Sequence, residues 1–62
     1  MRAEERRQAI QDILQHSPQP VSAGTLAARF SVSRQIIVGD VALLRAAGAD
    51  ISATPRGYVI QK

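Results

Sequence analysis

A capped helical stretch in the middle of the chain constrains the fold more than any other feature. Residues 30–48 read FSVSRQIIVGDVALLRAAG and predict the end of one helix, a tight turn and a second helix. Ser33 is a good N-cap because its hydroxyl can accept a hydrogen bond from a free amide of the first turn. Gly48 follows the last periodic residue and suits a left-handed C-cap. The stretch therefore predicts a helix over about residues 33–47.

This helix carries one apolar stripe. Ile37, Val41 and Leu44 recur at the i, i+4, i+7 spacing of a buried helical face. The opposite side is small or polar and consists of Gln35, Gly39, Ala42 and Ala46, with Arg34 and Val38 flanking it. A helix with one buried side and one slim side fits a DNA major groove. An ordinary surface helix has the same pattern, so the rest of the chain must decide.

Two helical patterns precede this stretch. Residues 2–16 predict a first helix, and residues 23–30 predict a second helix that begins after the N-cap Ser22. The expected inward residues are Ile10, Ile13 and Leu14 in the first helix and Leu26, Ala27 and Phe30 in the second. Val21, in the proline-containing loop between them, is expected to form a very short strand.

Two brief extended runs near the end predict a hairpin over about residues 51–61. Its turn is Pro55-Arg56-Gly57, in which proline suits the second position of a tight turn and glycine the fourth. Arg56 is thereby placed at the tip. Tyr58 and Ile60 share one face by the two-residue period of a strand and are expected to pack on the helices.

Composition narrows the class of protein. The chain has 62 residues, which is enough for one small domain, and it has no cysteine for a disulfide or a thiolate metal site. No apolar run approaches the roughly 20 residues of a membrane span. The basic N-terminus is not followed by the apolar segment of a signal peptide. We therefore expect a cytoplasmic domain without a cofactor of its own.

The charge is basic and is supplied almost entirely by arginine. The net charge is +3, and Lys62 is the only lysine among eight basic residues. The planar arginine fork suits phosphate oxygens and guanine edges, so the balance favours a polyanionic partner. A solvated basic surface explains the charge equally well. Arg6 and Arg7 illustrate both possibilities, since each is expected either to face solvent or to contact a backbone phosphate.

The residue inventory argues against an enzyme. There is no cysteine, the single histidine His16 has no evident serine or aspartate partner, and no glycine-rich phosphate loop follows a strand. The five carboxylates are scattered and are expected to face solvent. We assign no catalytic or metal-binding role to any residue.

The order of elements is that of a winged helix-turn-helix. A helix, a short strand, a second helix, a turn, a third helix and a hairpin follow one another across residues 1–62. The predicted fold is therefore mainly α with a small β-hairpin, in one domain.

Three sequence runs also carry a family resemblance. VSRQ at 32–35, DVALLRAAG at 40–48 and TPRGYVI at 54–60 resemble the N-terminal DNA-binding domain of bacterial niacin-responsive transcription repressors. More broadly, the chain is similar to the winged helix-turn-helix of the biotin operon repressor. The resemblance implies sequence-specific binding to a double-stranded DNA operator. These repressors carry a second domain after the wing that binds ligand and dimerises, so effector binding and homodimer formation are assigned to no residue here.

Candidate DNA contacts follow from this placement at the start of the third helix. Ser31 and Ser33 would donate to phosphates there, although capping alone also explains Ser33. Arg34 would contact a guanine edge or a phosphate, and Gln35 would bond adenine. Arg34 and Gln35 could alternatively be ordinary solvated side chains.

The remaining candidates lie further along the chain. Val38 and Ala42 would contact thymine methyl groups, and Arg56 would enter a minor groove or hold the backbone. Asp40 is expected to pair with a nearby arginine, because a carboxylate facing DNA is repelled unless it reads cytosine. Gly39 stands where a polar side chain would read bases, so base reading is expected to concentrate at the start of the helix.

A protein-binding module is the competing interpretation. The small face formed by Gly39, Ala42 and Ala46 would let a partner helix approach closely. Arg34, Gln35 and Arg56 around that face fit DNA better.

Overall fold

Three helices precede an antiparallel hairpin in the computed structural model, which describes residues 1–61. The elements are α1 (Ala3–His16), α2 (Ala23–Phe30), α3 (Arg34–Ala46), β1 (Ile51–Thr54) and β2 (Gly57–Ile60). This is the predicted winged helix-turn-helix, and each predicted bound differs from the observed one by at most one residue. Within the described part of the chain, no helix combines the length and the apolar character needed to cross a membrane.

Serine side chains begin the second and third helices. Ser22 Oγ accepts a hydrogen bond from the Thr25 amide at 3.1 Å, and Ser33 Oγ accepts one from the Ile36 amide at 3.2 Å. Each bond satisfies one of the amides that a helix leaves free in its first turn. Both predicted N-caps are therefore confirmed.

A glycine ends α3 in the predicted way. Gly48 has a φ of 104°, and its amide donates to the Arg45 carbonyl at 3.0 Å. The Ala49 amide donates to the Leu44 carbonyl, also at 3.0 Å. These two bonds form a Schellman motif, which satisfies carbonyls left free by the last turn.

The core is aliphatic and is formed by all three helices together with β1. Its buried side chains are Ile10, Leu14, Leu26, Ala27, Ile37, Val41 and Ile51. The predicted inward residues of each helix either belong to this core or, like Ile13, Phe30 and Leu44, pack against it half-buried. Tyr58 and Ile60 also pack against it, as predicted for the hairpin.

Backbone pairing with the loop before α2 fixes the position of the wing. Val21 and Tyr58 exchange two amide–carbonyl hydrogen bonds, of 3.0 and 2.8 Å. Since β2 also pairs with β1, from Ile51 opposite Ile60 to Thr54 opposite Gly57, β2 lies between β1 and Val21. The very short strand predicted at Val21 is therefore present, and it connects the hairpin to the helices.

Gly57 allows this close approach. It has a φ of 139°, and a β-carbon at this position would lie 2.5 Å from the Val21 carbonyl carbon and 2.7 Å from the Ser22 nitrogen. The obstructing atoms are backbone, which cannot rotate away as a flexible side chain can. Glycine is thus required here by both conformation and space.

Replacement of Gly57 by alanine should be strongly destabilising. We expect Gly57→Ala to lower the free energy of unfolding by about 2–4 kcal/mol, the sum of an unfavourable backbone conformation and overpacking. Gly39→Ala is the matched control, because a β-carbon there meets no atom within 4 Å. It should raise the free energy of unfolding by about 0.5–1 kcal/mol through helix propensity. Urea denaturation measures both changes, and equal effects at the two glycines would contradict this account.

Candidate nucleic-acid interface

The outer side of α3 is exposed, and the residues in the middle of this side are uncharged. Gln35, Val38, Gly39, Ala42 and Ala46 are all exposed, with 51% of Val38 accessible. Val38 and Ala42 are one turn apart, and Gln35 precedes Ala42 by two turns, so the three share one face. The outward face of α3 is therefore polar at its N-terminal end and consists of small or apolar residues in its middle.

Arg34 leaves the helix on a different side. It precedes the buried residues Ile37 and Val41 by three and seven positions, so it extends the core-facing stripe beyond the N-terminal end of the core. Its side chain reaches across the start of α2, where a β-carbon on Gly24 would lie 4.0 Å from Arg34 Nε. Arg34 is therefore directed toward α2 and the wing, to one side of Gln35.

A groove of about 240 Å³ brings Arg34 and Arg56 together. Its walls are the start of α2, the start of α3 and the wing tip, and its lining residues are Ser22, Ala23, Arg34, Ala53, Thr54, Pro55, Arg56, Gly57 and Tyr58. No carboxylate lines it. The Thr54 hydroxyl donates to the Gly57 carbonyl at 2.7 Å and accepts from the Arg56 amide at 3.2 Å, so the turn that presents Arg56 is internally braced. The groove is suited to an anion.

Ser31 ends α2 in a left-handed conformation. Its φ and ψ are 56° and 44°, and it is the one residue other than glycine with positive φ in the described chain, residues 1–61. The Val32 amide donates to the Ala27 carbonyl at 3.0 Å and the Ser31 amide to the Ala28 carbonyl at 3.4 Å. This is the Schellman geometry with serine in the glycine position, which exposes the Ser31 hydroxyl beside the start of α3.

Asp40 is buried beneath α3 and is paired with two arginines of α1. The whole residue is 3% exposed. Arg6 donates from both Nε and Nη2 to the two carboxylate oxygens, the second bond being 3.1 Å, and Arg7 Nη1 lies 3.6 Å from Oδ1. The hydrogen bond to Asp40 raises the pKa of the Arg6 guanidinium above its ordinary value. The predicted Asp40–arginine pair is therefore confirmed.

The same cluster corrects two expectations. The five carboxylates do not all face solvent, since Asp40 is buried. Arg6 and Arg7 are half-buried and directed to Asp40, so neither is simply a solvated side chain. The spacing of charged residues along α1 could not predict this pairing, because the partner lies on another helix. The sequence feature that could have indicated a buried carboxylate is the position of Asp40 directly before the core residue Val41.

The seven predicted DNA-contacting residues fall into three groups. Ser31 and Ser33 flank the turn before α3, Gln35, Val38 and Ala42 lie on its exposed face, and Arg34 and Arg56 line the groove. Sequence reasoning placed Arg34 beside Gln35 and did not include the start of α2. Arg34 precedes the core residues Ile37 and Val41 by three and seven positions. This spacing was visible in the sequence and indicates that Arg34 leaves the helix in a different direction from Gln35.

Comparison with known families agrees with this architecture. A family described as an HTH domain matches residues 6–59, which include α1 from Arg6 onward, all of α2 and α3, and most of the wing. The chain belongs to this family. It is a helix-turn-helix domain, the DNA-binding element of transcriptional regulators.

Two curated relatives of the helix-turn-helix domain are transcription repressors. The "Probable transcription repressor NiaR" of Thermotoga maritima is 54% identical over 57 residues, which cover 92% of this chain and 33% of that protein. The "Transcription repressor NadR" of Bacillus subtilis is 48% identical over 46 residues, or 74% of this chain and 26% of that protein. The predicted resemblance to bacterial repressors rather than enzymes is confirmed. The chain spans a third or less of either relative's length.

Ser31 and Ser33 should respond oppositely to substitution. Ser31→Gly removes a β-carbon from a left-handed residue, so we expect the free energy of unfolding to rise by about 0.5–1 kcal/mol. Ser33→Ala removes an N-cap and should lower it by about 1 kcal/mol. Thermal denaturation followed by circular dichroism measures both. A loss of stability in Ser31→Gly would mean that the Ser31 side chain makes a stabilising contact.

The ion pair beneath α3 should depend more on Arg6 than on Arg7. Arg6→Met should lower Tm by several degrees, because the Asp40 side chain is only 4% exposed and cannot turn to water. Arg7→Met should have a smaller effect. The double variant Arg6→Met/Asp40→Leu should recover part of the loss, because it removes the buried charge together with its partner. If the double variant is no more stable than Arg6→Met, the pair is not the source of the loss.

Proposed function

We propose that this domain reads an operator in double-stranded DNA on behalf of a bacterial transcriptional repressor. In this proposal α3 enters the major groove, and the wing tip at Arg56 contacts the minor groove or the backbone. The observation that carries it is the juxtaposition of α3 and the wing, because Arg34 and Arg56 line one groove beside the exposed face of α3. The two elements that we propose to contact DNA therefore lie on adjoining surfaces.

Individual roles follow from the chemistry of each exposed group. Gln35 offers an amide that can bond adenine bidentately, and Val38 offers methyl groups for a thymine methyl. Ser31 and Ser33 would donate to phosphates near the free amides at the start of α3. The one acidic residue of α3, Asp40, is buried and neutralised by α1, so it does not repel a phosphate backbone.

The regulatory setting is proposed from the named relatives. Both are transcription repressors, and the sequence runs at 40–48 and 54–60 resemble those of the niacin-responsive branch. We place the domain in the cytoplasm, and we assign no cofactor to its residues. One such module buries about 600–1,000 Å² on DNA, so tight binding is expected from two copies on a two-fold site.

A protein-binding module is the second candidate. It is favoured by Ile36 and Leu43, which lie two turns apart on α3 and are 42% and 56% exposed. Together with the small face at Gly39, Ala42 and Ala46, they offer an apolar surface to a partner helix. Salt separates the two candidates, since counterion release makes DNA binding fall steeply with salt while apolar contact does not.

Selection from a random duplex library tests the DNA proposal. The chain is expected to enrich a sequence that it binds more tightly than a shuffled duplex. The logarithm of its binding constant should fall linearly with the logarithm of the salt concentration. Gln35→Ala should reduce the ratio of the two affinities by about 5-fold or more, because it removes a base contact. Fluorescence anisotropy measures both affinities.

Gln15→Ala is the matched control. Gln15 is exposed on α1, outside the proposed interface, and its loss should leave the ratio unchanged. Absence of salt-dependent duplex binding by the unaltered chain would contradict the proposal. Salt-independent binding to a partner protein would favour the protein-binding module instead.

A further inference from the structure

The groove between α2, α3 and the wing contains two arginines from different elements that have no acidic partner. Within residues 1–61, the ion pairs are those of Arg6 and Arg7 with Asp40, and neither Arg34 nor Arg56 donates a side-chain hydrogen bond. Both guanidinium groups are therefore available to an external anion. Two arginines that open on one groove without a carboxylate give the groove a positive potential, which favours an anion.

The third wall of the groove adds further donors. Ser22 and Ala23 line it at the start of α2, and Ser22 caps the Thr25 amide at 3.1 Å. The amides of Ala23 and Gly24 make no hydrogen bond within the described residues. Free first-turn amides and the positive end of the helix dipole favour a negative group. They act here together with the two guanidinium groups.

We propose that this groove binds a single DNA backbone phosphate, held by Arg34 from one side and Arg56 from the other. The inference rests on the proposed DNA-binding function and assigns one of its contacts. It makes Arg34 a phosphate-binding residue and not a reader of guanine. It also places the wing tip on the backbone and not in the minor groove.

The direction of Arg34 supports a phosphate over a base. Arg34 continues the Ile37–Val41 stripe, and its Nε lies 4.0 Å from where a β-carbon on Gly24 would stand, so its side chain is directed toward α2 and lies to one side of Gln35. A phosphate stands at the rim of the major groove, where a side chain at the edge of an inserted helix reaches it. Sequence reading is thereby left to Gln35 and Val38, and the groove fixes the register of the strand.

The proposal implies that Arg34 and Arg56 share one contact. We would measure binding of Arg34→Ala, Arg56→Ala and the double variant to the enriched and the shuffled duplex over a range of salt. Each single change should weaken binding to both duplexes by the same factor, about 10-fold, and leave their affinity ratio unchanged. The slope of log affinity against log salt should fall by less than one in each single variant, because the remaining arginine still neutralises the phosphate. It should fall by about one, not two, in the double variant.

Arg29→Ala is the charge-matched control. Arg29 is exposed in the last turn of α2, about 9 Å along the helix from the first-turn residues that line the groove. It should change affinity less than either groove variant. Methylphosphonate substitution of each phosphate in turn provides a measurement that needs no protein variant. One position should weaken binding by the unaltered chain, Arg34→Ala and Arg56→Ala should both be less sensitive to that same position, and the double variant should be insensitive to it.

Three results would overturn the shared phosphate. A fall in the enriched-to-shuffled ratio in Arg34→Ala would show that Arg34 reads a base. A slope that falls by about two in the double variant, or different sensitive positions for the two arginines, would show separate contacts. In all three cases the domain still binds DNA, so the proposed function survives. If the unaltered chain shows no salt-dependent duplex binding, the function itself fails.

Discussion

The backbone pairing between Val21 and Tyr58 determines where the wing stands relative to the helices. A two-stranded hairpin alone is marginally stable in water, and here its second strand gains a neighbour on its other edge through two hydrogen bonds. The pairing is possible because Gly57 has no side chain to meet the Val21 backbone. It places the wing tip opposite the start of α2, and the groove between them exists for that reason.

The ion pair between α1 and α3 compensates the negative charge of Asp40, the one acidic residue of α3. A DNA-facing helix that contains an aspartate would carry repulsion into the interface, and a buried aspartate without a partner would be costly. Burying Asp40 against Arg6 and Arg7 resolves both problems, since the carboxylate is removed from the surface and its charge is compensated. The basic excess of the chain is consequently left to other arginines, including the pair in the groove.

Local sequence patterns predicted the elements because those patterns depend on neighbouring residues. The caps at Ser22 and Ser33, the stop at Gly48 and the apolar stripe of α3 each involve residues within one or two turns. The left-handed Ser31 was not predictable in this way, since serine has no preference for that conformation. The choice of Arg6 as the partner of Asp40 depends on how α1 crosses α3, which periodicity does not specify. The contacts of the candidate site with DNA remain predictions.

Tyr58 gives the groove an optical property. It is the chain's only tyrosine, there is no tryptophan, and it forms part of the groove wall beside Arg56. Ultraviolet emission from the folded chain therefore originates at one known position. A ligand that enters the groove lies beside Tyr58 and can change the intensity of its emission by quenching, whereas a ligand on the far side of α3 does not contact it. The native chain thus carries an intrinsic fluorescent reporter that distinguishes the two surfaces without an attached dye.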